Sequence, residues 1–361
     1  MNTALTTRAE VRRILIIKWS ALGDVAIASA IMEDICRAFP DAAIHLNTLP
    51  SAARLFTHDP RFHDIVAIDV RDTKQRLRQH IQWLRRIRAG RYDLLVDLQR
   101  TDHTRILLAL LLLTGHRIPH RWGQRGGFPY TLQPGDRDPQ SHVFHRMRSM
   151  LAAAGIAAVA ERPVLHVPVA EKEQARAALR EHRLQPLRFA VFLPGSQTQS
   201  RPKRWGARRY AELGKLLRAR GMDKIAVIGG PEEVDECAAI VDAINSGDDG
   251  AAVNLNMLPL LQIIPVCEAA FCIVANDTGN AHIAAAADRP MVMICGPTDP
   301  RRVKPMGRNV RAVQAELDCV NCYGKTCRMA TRPVCMERIT PECIAGLLMD
   351  SDTICRGVRI F

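Results

Sequence analysis

The strongest constraint on the fold is an alternation of short apolar strands with amphipathic helices, which repeats along both halves of the chain. Between the strands, apolar residues recur at helical spacing, as in Leu77, Ile81, Leu84 and Ile87. This alternation predicts parallel α/β layers. Apolar strands are predicted at residues 14–17, 43–46, 65–70, 94–98, 189–193, 225–228, 271–275 and 291–295.

The length of the chain and a proline-containing segment near its middle predict two domains. A chain of 361 residues can form two domains of ordinary size, each with its own core. Residues 161–168 contain two prolines and are typical of a linker. We therefore predict two facing Rossmann-like domains, 1–168 and 169–361, with a cleft between them. Residues 116–145, rich in Gly, Pro, Arg and His, are predicted to form a long loop.

Positive charge is concentrated in the first half of the chain. Residues 1–185 contain 28 Lys and Arg against 18 Asp and Glu, a net charge of +10, whereas residues 186–361 contain 22 against 19, a net +3. The excess indicates an acidic partner for the first half. The helix predicted after residue 73 carries six cations, for which a solvated face and an anion- or membrane-facing surface are both open interpretations: Lys74, Arg76, Arg78, Arg85, Arg86 and Arg88.

The lack of a visible export signal and the cysteine content predict a cytoplasmic setting. The first 20 residues lack the apolar stretch of a secretory signal. The longest apolar run, 106–113, is too short to span a bilayer and is predicted to be a buried helix segment. The 11 cysteines are odd in number, and without an export signal disulfides are not assumed.

Polar residues follow several predicted strands, at the edge where open α/β sheets bind ligands. The stretch 276–279, Asn-Asp-Thr-Gly, stands between a strand and a helix, where unpaired N–H groups favour an anion such as phosphate. Capping by Asp277 or Thr278 is the alternative interpretation, and Asp24 near another helix start has the same alternative. No GxGxxG dinucleotide motif and no P-loop motif is present.

Four segments together resemble the glycosyltransferase family 9 heptosyltransferases, which transfer heptose from ADP-heptose to lipopolysaccharide. The DTG-x-x-H motif at 277–282, followed by GPTDP at 296–300, is the most specific, and S-x-L-G-D at 20–24 is the second. LPGSQTQSRPKRW at 193–205 and GGPEE at 229–233 complete the set. The resemblance implies a GT-B fold, with an acceptor-binding N-terminal domain and a C-terminal domain that binds the nucleotide sugar.

The resemblance also implies roles for individual residues. Asp24 matches the catalytic aspartate that would accept a proton from the attacking hydroxyl. Ser20 and Gly23 stand beside it on the acceptor side. The donor-binding residues that it implies are Ser196, Lys203, Glu232, Asp277, Thr278, Gly279 and His282, with Glu233 as the alternative to Glu232.

The family's chemistry implies an inverting transfer that requires no cofactor and no catalytic metal. The expected partners are ADP-heptose, an anionic lipid A-core acceptor and the inner face of the cytoplasmic membrane, with no nucleic acid. A nucleotide-sugar epimerase of GT-B shape and a basic nucleic-acid-binding protein are the alternatives. The low aromatic content, 5%, argues against the second because stacking platforms for bases would be scarce.

A cysteine cluster near the C-terminus is not explained by this function. Cys319, Cys322, Cys327 and Cys335 have the spacing C-x2-C-x4-C-x7-C. The opening C-x2-C is typical of zinc or iron sites, but the later spacings match no common zinc finger. A structural metal and a reduced packing cluster therefore both stay open, and metal analysis of the purified protein distinguishes them.

Overall fold

The chain forms two units, each built on its own parallel sheet. The computed structural model describes residues 10–70, 72, 74–132, 134, 138, 140–196, 198–349 and 355–361. The first unit comprises Met1–His166 and the second Val167–Phe361, so the division falls within the predicted linker. The α/β class with two predominantly parallel sheets is confirmed.

The first unit contains a five-stranded parallel sheet of order β3-β2-β1-β4-β5. Its strands are β1 (Arg13–Lys18), β2 (Ala43–Thr48), β3 (Asp64–Ala67), β4 (Leu94–Asp97) and β5 (His120–Gly123). Its helices are α1 (Leu22–Ala38), α2 (Pro50–Ala53), α3 (Arg76–Gly90), α4 (Asp102–Leu113) and α5 (Val143–Ala153).

The second unit contains a seven-stranded sheet of order β12-β11-β10-β9-β6-β7-β8, in which only β12 is antiparallel to its neighbour. Its strands are β6 (Phe189–Leu193), β7 (Lys224–Val227), β8 (Ala252–Asn254), β9 (Cys272–Asn276), β10 (Met291–Cys295), β11 (Val310–Ala315) and β12 (Val358–Ile360). Its α-helices are α6 (Val169–Glu181), α7 (Ala207–Ala219), α8 (Val234–Asn245), α9 (Ile263–Ala269), α10 (Gly279–Ala284), α11 (Pro300–Val303), α12 (Val334–Glu337) and α13 (Pro341–Met349). Short 3-10 turns occupy Thr198–Lys203, Pro231–Glu233, Leu260–Gln262 and Ala285–Ala287.

The predicted strands form because their apolar runs are covered on both faces. Every residue of β6, β9 and β10 is buried, as expected for central parallel strands beneath helices. In the first unit β4 is likewise fully buried. A continuous apolar run of this length is most stable as a central strand, which is why the sequence identifies these elements well.

Two predictions about the first unit are wrong. The predicted loop 116–145 contains β5, which pairs with β4 at the sheet edge although its residues, His-Arg-Trp-Gly, form no apolar run. The apolar run 106–113 lies in α4 but is buried on one face only, since Ile106, Leu110 and Leu113 are exposed. An edge strand and a surface helix each have only one covered face. The existence of β5 and the one-sided burial of α4 therefore could not be predicted from hydrophobicity alone.

The termini add two observations. Residues 1–9, which carry part of the expectation about a secretory signal, lie outside the described residues. In the second unit a disulfide joins Cys343 on α13 to Cys355 just before β12, where none was assumed. Within the described ranges, no helix is both long and apolar enough to span a membrane.

Each sheet has one point at which the strand order reverses direction. It lies between β1 and β4 in the first sheet and between β6 and β9 in the second. Open α/β sheets bind ligands outside the carboxyl ends of the strands at such a point. The sequence-predicted site residues follow β1, β6, β7 and β9, so most of them stand next to a reversal point.

Candidate functional site

The reversal point of the second sheet carries an ion pair between two residues far apart in the chain. The Nζ of Lys203 lies 2.8 Å from Oδ2 of Asp277, which directly follows β9. The hydroxyl of Thr298 donates to the same oxygen at 2.8 Å. Asp277 is buried, whereas the Lys203 side chain remains 26% exposed. An ammonium group has three donors, so Lys203 can bind an anion while it stays paired with Asp277.

The backbone of the loop that carries Thr298 is held by hydrogen bonds from a buried glutamine. Gln314 on β11 donates its amide group to the carbonyl oxygens of Gly296, at 3.0 Å, and Thr298, at 2.8 Å. It also contacts Oδ1 of Asn321 at 2.9 Å. On the other side, the Tyr323 N–H donates to Pro297 at 2.8 Å. The Thr298 hydroxyl is therefore held in place by its backbone.

Asn276, the last residue of β9, anchors the start of the Asp-Thr-Gly corner. It is fully buried, and its Oδ1 accepts from the Tyr210 hydroxyl at 3.1 Å and from the Trp205 N–H at 3.3 Å. Its Nδ2 donates to the Pro194 carbonyl at the end of β6. The two strands that flank the reversal point are thus tied together by one side chain.

The backbone of the corner enters a helix directly after the ion pair. Helix α10 begins at Gly279, and Thr278 occupies its N-cap position with an extended backbone. The Thr278 side chain makes no capping hydrogen bond, and the Asp277 carboxylate contacts Lys203 and Thr298. The capping interpretation of this corner is therefore wrong for both side chains. His282 lies one turn further along α10 and is buried.

Arg204 connects Ser196 to the turn after β7. Its Nη2 donates to the Ser196 carbonyl at 2.7 Å, and its Nε donates to the Ser196 hydroxyl at 3.3 Å. The same guanidinium pairs with Glu236 at 2.8 Å and Glu233 at 3.2 Å. Burial raises the pKa of the Glu236 carboxyl, and Arg204 counteracts that rise. Arg204 is thus the main organiser of this loop, and sequence reasoning did not single it out.

The two glutamates of the GGPEE turn have different environments. Glu233 is buried, and its Oε2 accepts from the Gly230 N–H at 2.8 Å in addition to the Arg204 contact. A Cβ added at Gly195 would lie 2.7 Å from Cδ of Glu233, so the two segments pack tightly. Glu232, in contrast, has an exposed side chain. This difference favours Glu232 over Glu233 for contact with a ligand.

In the first unit, the predicted acceptor residues lie at the start of α1. Asp24 is in the first turn of that helix and is exposed, and the Ala21 N-cap has no side-chain hydrogen bond. Gly23 is buried. Ser20 is also buried, and its hydroxyl donates to Oε1 of Gln99, which follows β4. Asp24 is therefore not the N-cap residue of α1, and it lies in the exposed first turn of the helix that follows β1, a strand at the reversal point of the first sheet.

A buried carboxyl group lies beneath that edge. Asp97 ends β4, and its Oδ1 accepts from the Gln99 N–H at 2.8 Å, while the Tyr130 hydroxyl donates to Oδ2. Complete burial raises the pKa of Asp97 from 3.8 to about 7, although both hydrogen bonds act to lower it. A protonated Asp97 avoids the cost of a buried charge that the nearby Lys18 cation offsets only in part.

This raised pKa predicts a pH-dependent stability. Between the ordinary Asp value of 3.8 and about 7, Asp97 is ionised in the unfolded chain but protonated in the folded one. The folded state binds more protons there, so the free energy of unfolding should fall as the pH rises. We expect Asp97→Asn to remove about 2–4 kcal/mol of that fall. Urea unfolding of both proteins at about pH 5 and about pH 8 measures it.

The control for this prediction is Asp41→Asn, which changes an exposed carboxylate of the same unit. It should leave the pH dependence as in the parent protein. Equal slopes for the parent and Asp97→Asn would show that Asp97 is ionised in the folded state and would contradict the assignment.

The cysteine cluster adjoins the Thr298 loop through its first turn. Asn321 and Tyr323, which flank Cys322, make the contacts to Gln314 and Pro297 given above. In the described part of the chain, no three or more His, Cys, Asp or Glu side chains are arranged to hold a metal ion. Metal binding by these thiols stays an open prediction, whereas the observed contacts that hold the loop are made by Asn321 and Tyr323.

Comparison with known proteins agrees with this architecture. Residues 81–332 match glycosyltransferase family 9 (heptosyltransferase). The chain is 25% identical to lipopolysaccharide heptosyltransferase 2 of Salmonella typhimurium over 314 residues, 84% of this chain and 88% of that protein. It is also 25% identical to lipopolysaccharide heptosyltransferase 1 of Pseudomonas aeruginosa, over 93% of this chain and 97% of that one.

A solved structure supports the fold. The E. coli ADP-heptose lipopolysaccharide heptosyltransferase II has a TM-score of 0.71 and 22% identity, with 94% of this chain and 100% of that chain covered. The two Rossmann-like sheets and this similarity thus define a GT-B fold. The match over more than half of the sequence shows that the chain belongs to glycosyltransferase family 9, the heptosyltransferases. This confirms the predicted family and enzyme class over the epimerase alternative.

Proposed function

We propose that this protein transfers heptose from ADP-heptose to a hydroxyl of the lipopolysaccharide inner core, with inversion at the anomeric carbon. The observation that carries the proposal is the corner formed by Lys203, Asp277 and Thr298 beside the first turn of α10. A partly exposed cation, adjacent N–H groups and a sheet reversal point suit a nucleoside diphosphate. The family membership supplies the sugar class.

In the proposed reaction, the acceptor oxygen forms a bond to the anomeric carbon while the bond from that carbon to the diphosphate breaks. Asp24 accepts the proton of the attacking hydroxyl, which is a poor nucleophile at neutral pH. Negative charge develops on the departing ADP. Lys203 and the backbone N–H groups of Thr278 and Gly279 stabilise it, so we propose that no catalytic metal is needed.

We assign the remaining donor contacts on the positions of the loop residues. Ser196 lies in the loop after β6, the strand that pairs with β9, and would contact the phosphates. The exposed Glu232 would hold ribose hydroxyls, and the buried His282 would line the donor site. Ser20 and Gly23 would shape the acceptor side around Asp24. We further propose that the protein acts at the inner face of the cytoplasmic membrane, since its basic first half complements an anionic lipid A-core acceptor.

The test is mass spectrometry of Kdo2-lipid A after incubation with the protein and ADP-heptose. One added heptose is expected, and the Asp24→Asn variant should form it at least about a hundredfold more slowly. Product on a longer, heptosylated core but not on Kdo2-lipid A would keep the reaction and change the acceptor. Absence of product on every inner-core acceptor, with intact protein, would contradict the proposal.

A further inference from the structure

Helices α3 and α4 of the first unit lie side by side and run in the same direction. Near their starts, Nε2 of His80 lies 2.8 Å from Nε2 of His103. Near their ends, the Arg88 guanidinium donates to the Thr114 carbonyl at 3.2 Å. Two contacts, one at each end, fix the pair as a single two-helix surface.

This surface exposes apolar side chains that a solvated face does not need. Seven large apolar side chains are exposed in the described part of the first unit, and six of them belong to α3, α4 and the adjoining Phe128. The Phe128 carbonyl accepts from Arg105 of α4, which places that residue next to the helix pair. The six, with exposed fractions of 40–78%, are Leu77, Ile81, Ile106, Leu110, Leu113 and Phe128. Clustered exposed apolar residues of this kind mark an interaction site.

The charge around the apolar residues identifies the partner. Residues 74–92 contain no Asp or Glu but seven Lys and Arg. Arg76, Arg78 and Arg85 are exposed and make no ion pair or side-chain hydrogen bond with the described residues. Exposed apolar side chains flanked by unpaired cations match an anionic lipid surface, whose headgroups attract the cations and whose acyl boundary accepts the apolar groups.

The surface also contacts the segment that leads to the predicted acceptor residues Ser20 and Gly23. The ring of Trp19, which directly precedes Ser20, lies 5.7 Å from the rings of Trp83 on α3 and His103 on α4. The indole N–H groups of Trp19 and Trp83 both donate to Oδ1 of Asn47. Docking of the helix pair on a bilayer would therefore hold the Ser20–Asp24 edge near the membrane, where a lipid-anchored acceptor is displayed.

We propose that α3, α4 and Phe128 form a membrane-docking surface that inserts its apolar side chains into an anionic bilayer. This surface deepens the proposed function, and its relevance to acceptor capture rests on that function. Binding to lipid, however, is measured without turnover, so the two proposals fail separately.

The first experiment is co-sedimentation of the full-length protein with phosphatidylcholine vesicles and with vesicles that also contain phosphatidylglycerol. We expect binding to the anionic vesicles only. The triple change Arg76→Gln, Arg78→Gln and Arg85→Gln should weaken it by about a hundredfold, since each cation contributes roughly fivefold. The matched control also removes three exposed cations, but from the second unit, as Lys172→Gln, Arg180→Gln and Lys215→Gln, and should bind like the parent.

The second experiment separates insertion from charge attraction. Leu77→Gln with Leu113→Gln should weaken vesicle binding by roughly tenfold, and the residual binding should become more sensitive to salt. Val169→Gln with Met257→Gln is the control, because both side chains are exposed in the second unit. All variants should retain parent activity on a deacylated, water-soluble core acceptor.

Three results would overturn the proposal. They are no binding of the parent protein to anionic vesicles, equal loss in the controls, and unchanged binding in both surface variants. Light scattering tests the alternative that a second copy of the chain binds this surface. If the leucine changes converted a dimer to a monomer and left vesicle binding unchanged, the surface would be a self-association face. Loss of vesicle binding in the surface variants, together with no heptose transfer by the parent protein, would support the docking surface and contradict the proposed function alone.

Discussion

Replacement of Asp24 by Asn should lower kcat by about a hundredfold to ten-thousandfold, the range typical of a general base. Asn keeps the shape of the side chain but cannot take the proton of the acceptor hydroxyl. Because Asp24 is exposed in the first turn of α1 and caps no helix, its loss should leave folding intact. Release of ADP from ADP-heptose, followed with an inner-core acceptor, gives kcat, and calorimetry gives the ADP affinity, which should not change.

Asp41→Asn is the matched control for this prediction, since it removes an exposed carboxylate from the same unit. Its kcat should equal that of the parent protein. If Asp24→Asn also turned over at nearly the parent rate, Asp24 would not be the base, and the proton would have to pass to another group at the same edge.

The central strands of both units could be predicted because a continuous run of apolar residues indicates a strand that is buried on both faces. Strands β6 and β10 were predicted at exactly their observed bounds. The missed strands β5, β8, β11 and β12 lie toward the edges of their sheets, where only part of each strand is covered. Their pairing depends on a neighbouring strand that is already in place, which is a tertiary effect.

The candidate site was predictable to the extent that it follows the ends of apolar strands. Ser196 and Asp277 were identified in this way, and their strands are neighbours in the sheet. The partners of each side chain were not predictable. Lys203 and Asp277 meet because β6 pairs with β9, although β7 and β8 lie between them in sequence.

The same reason explains why Arg204 and Gln314 were missed. Gln314 lies in a segment without a motif, whereas Arg204 lies inside the 193–205 motif. The importance of each comes from several contacts with other loops. A partly buried arginine or a buried glutamine is recognised only when its partners are known, since its cost of burial must be offset by those hydrogen bonds. For Arg204, a signal was available in its position directly after Lys203.

Removal of the Lys203 ammonium group should weaken ADP binding and slow the reaction together. In Lys203→Gln, we expect the ADP Kd to rise by about tenfold to a hundredfold, as for a lost charge-assisted hydrogen bond. The kcat should fall by about a hundredfold or more, since negative charge on the leaving diphosphate is greatest as its bond breaks. Calorimetry and single-turnover kinetics measure the two effects. Lys215→Gln, an exposed change in the same unit, is the control.

The Lys203 variant should also be less stable, for a separable reason. It leaves the buried Asp277 carboxylate with the Thr298 hydroxyl but without its cation, which should cost about 1–3 kcal/mol in the free energy of unfolding. Lys203→Gln combined with Asp277→Asn removes the uncompensated charge, so stability should recover while turnover stays low. Recovery of turnover in the double variant would show that Lys203 serves only to neutralise Asp277, and would remove it from the stabilisation of the leaving group.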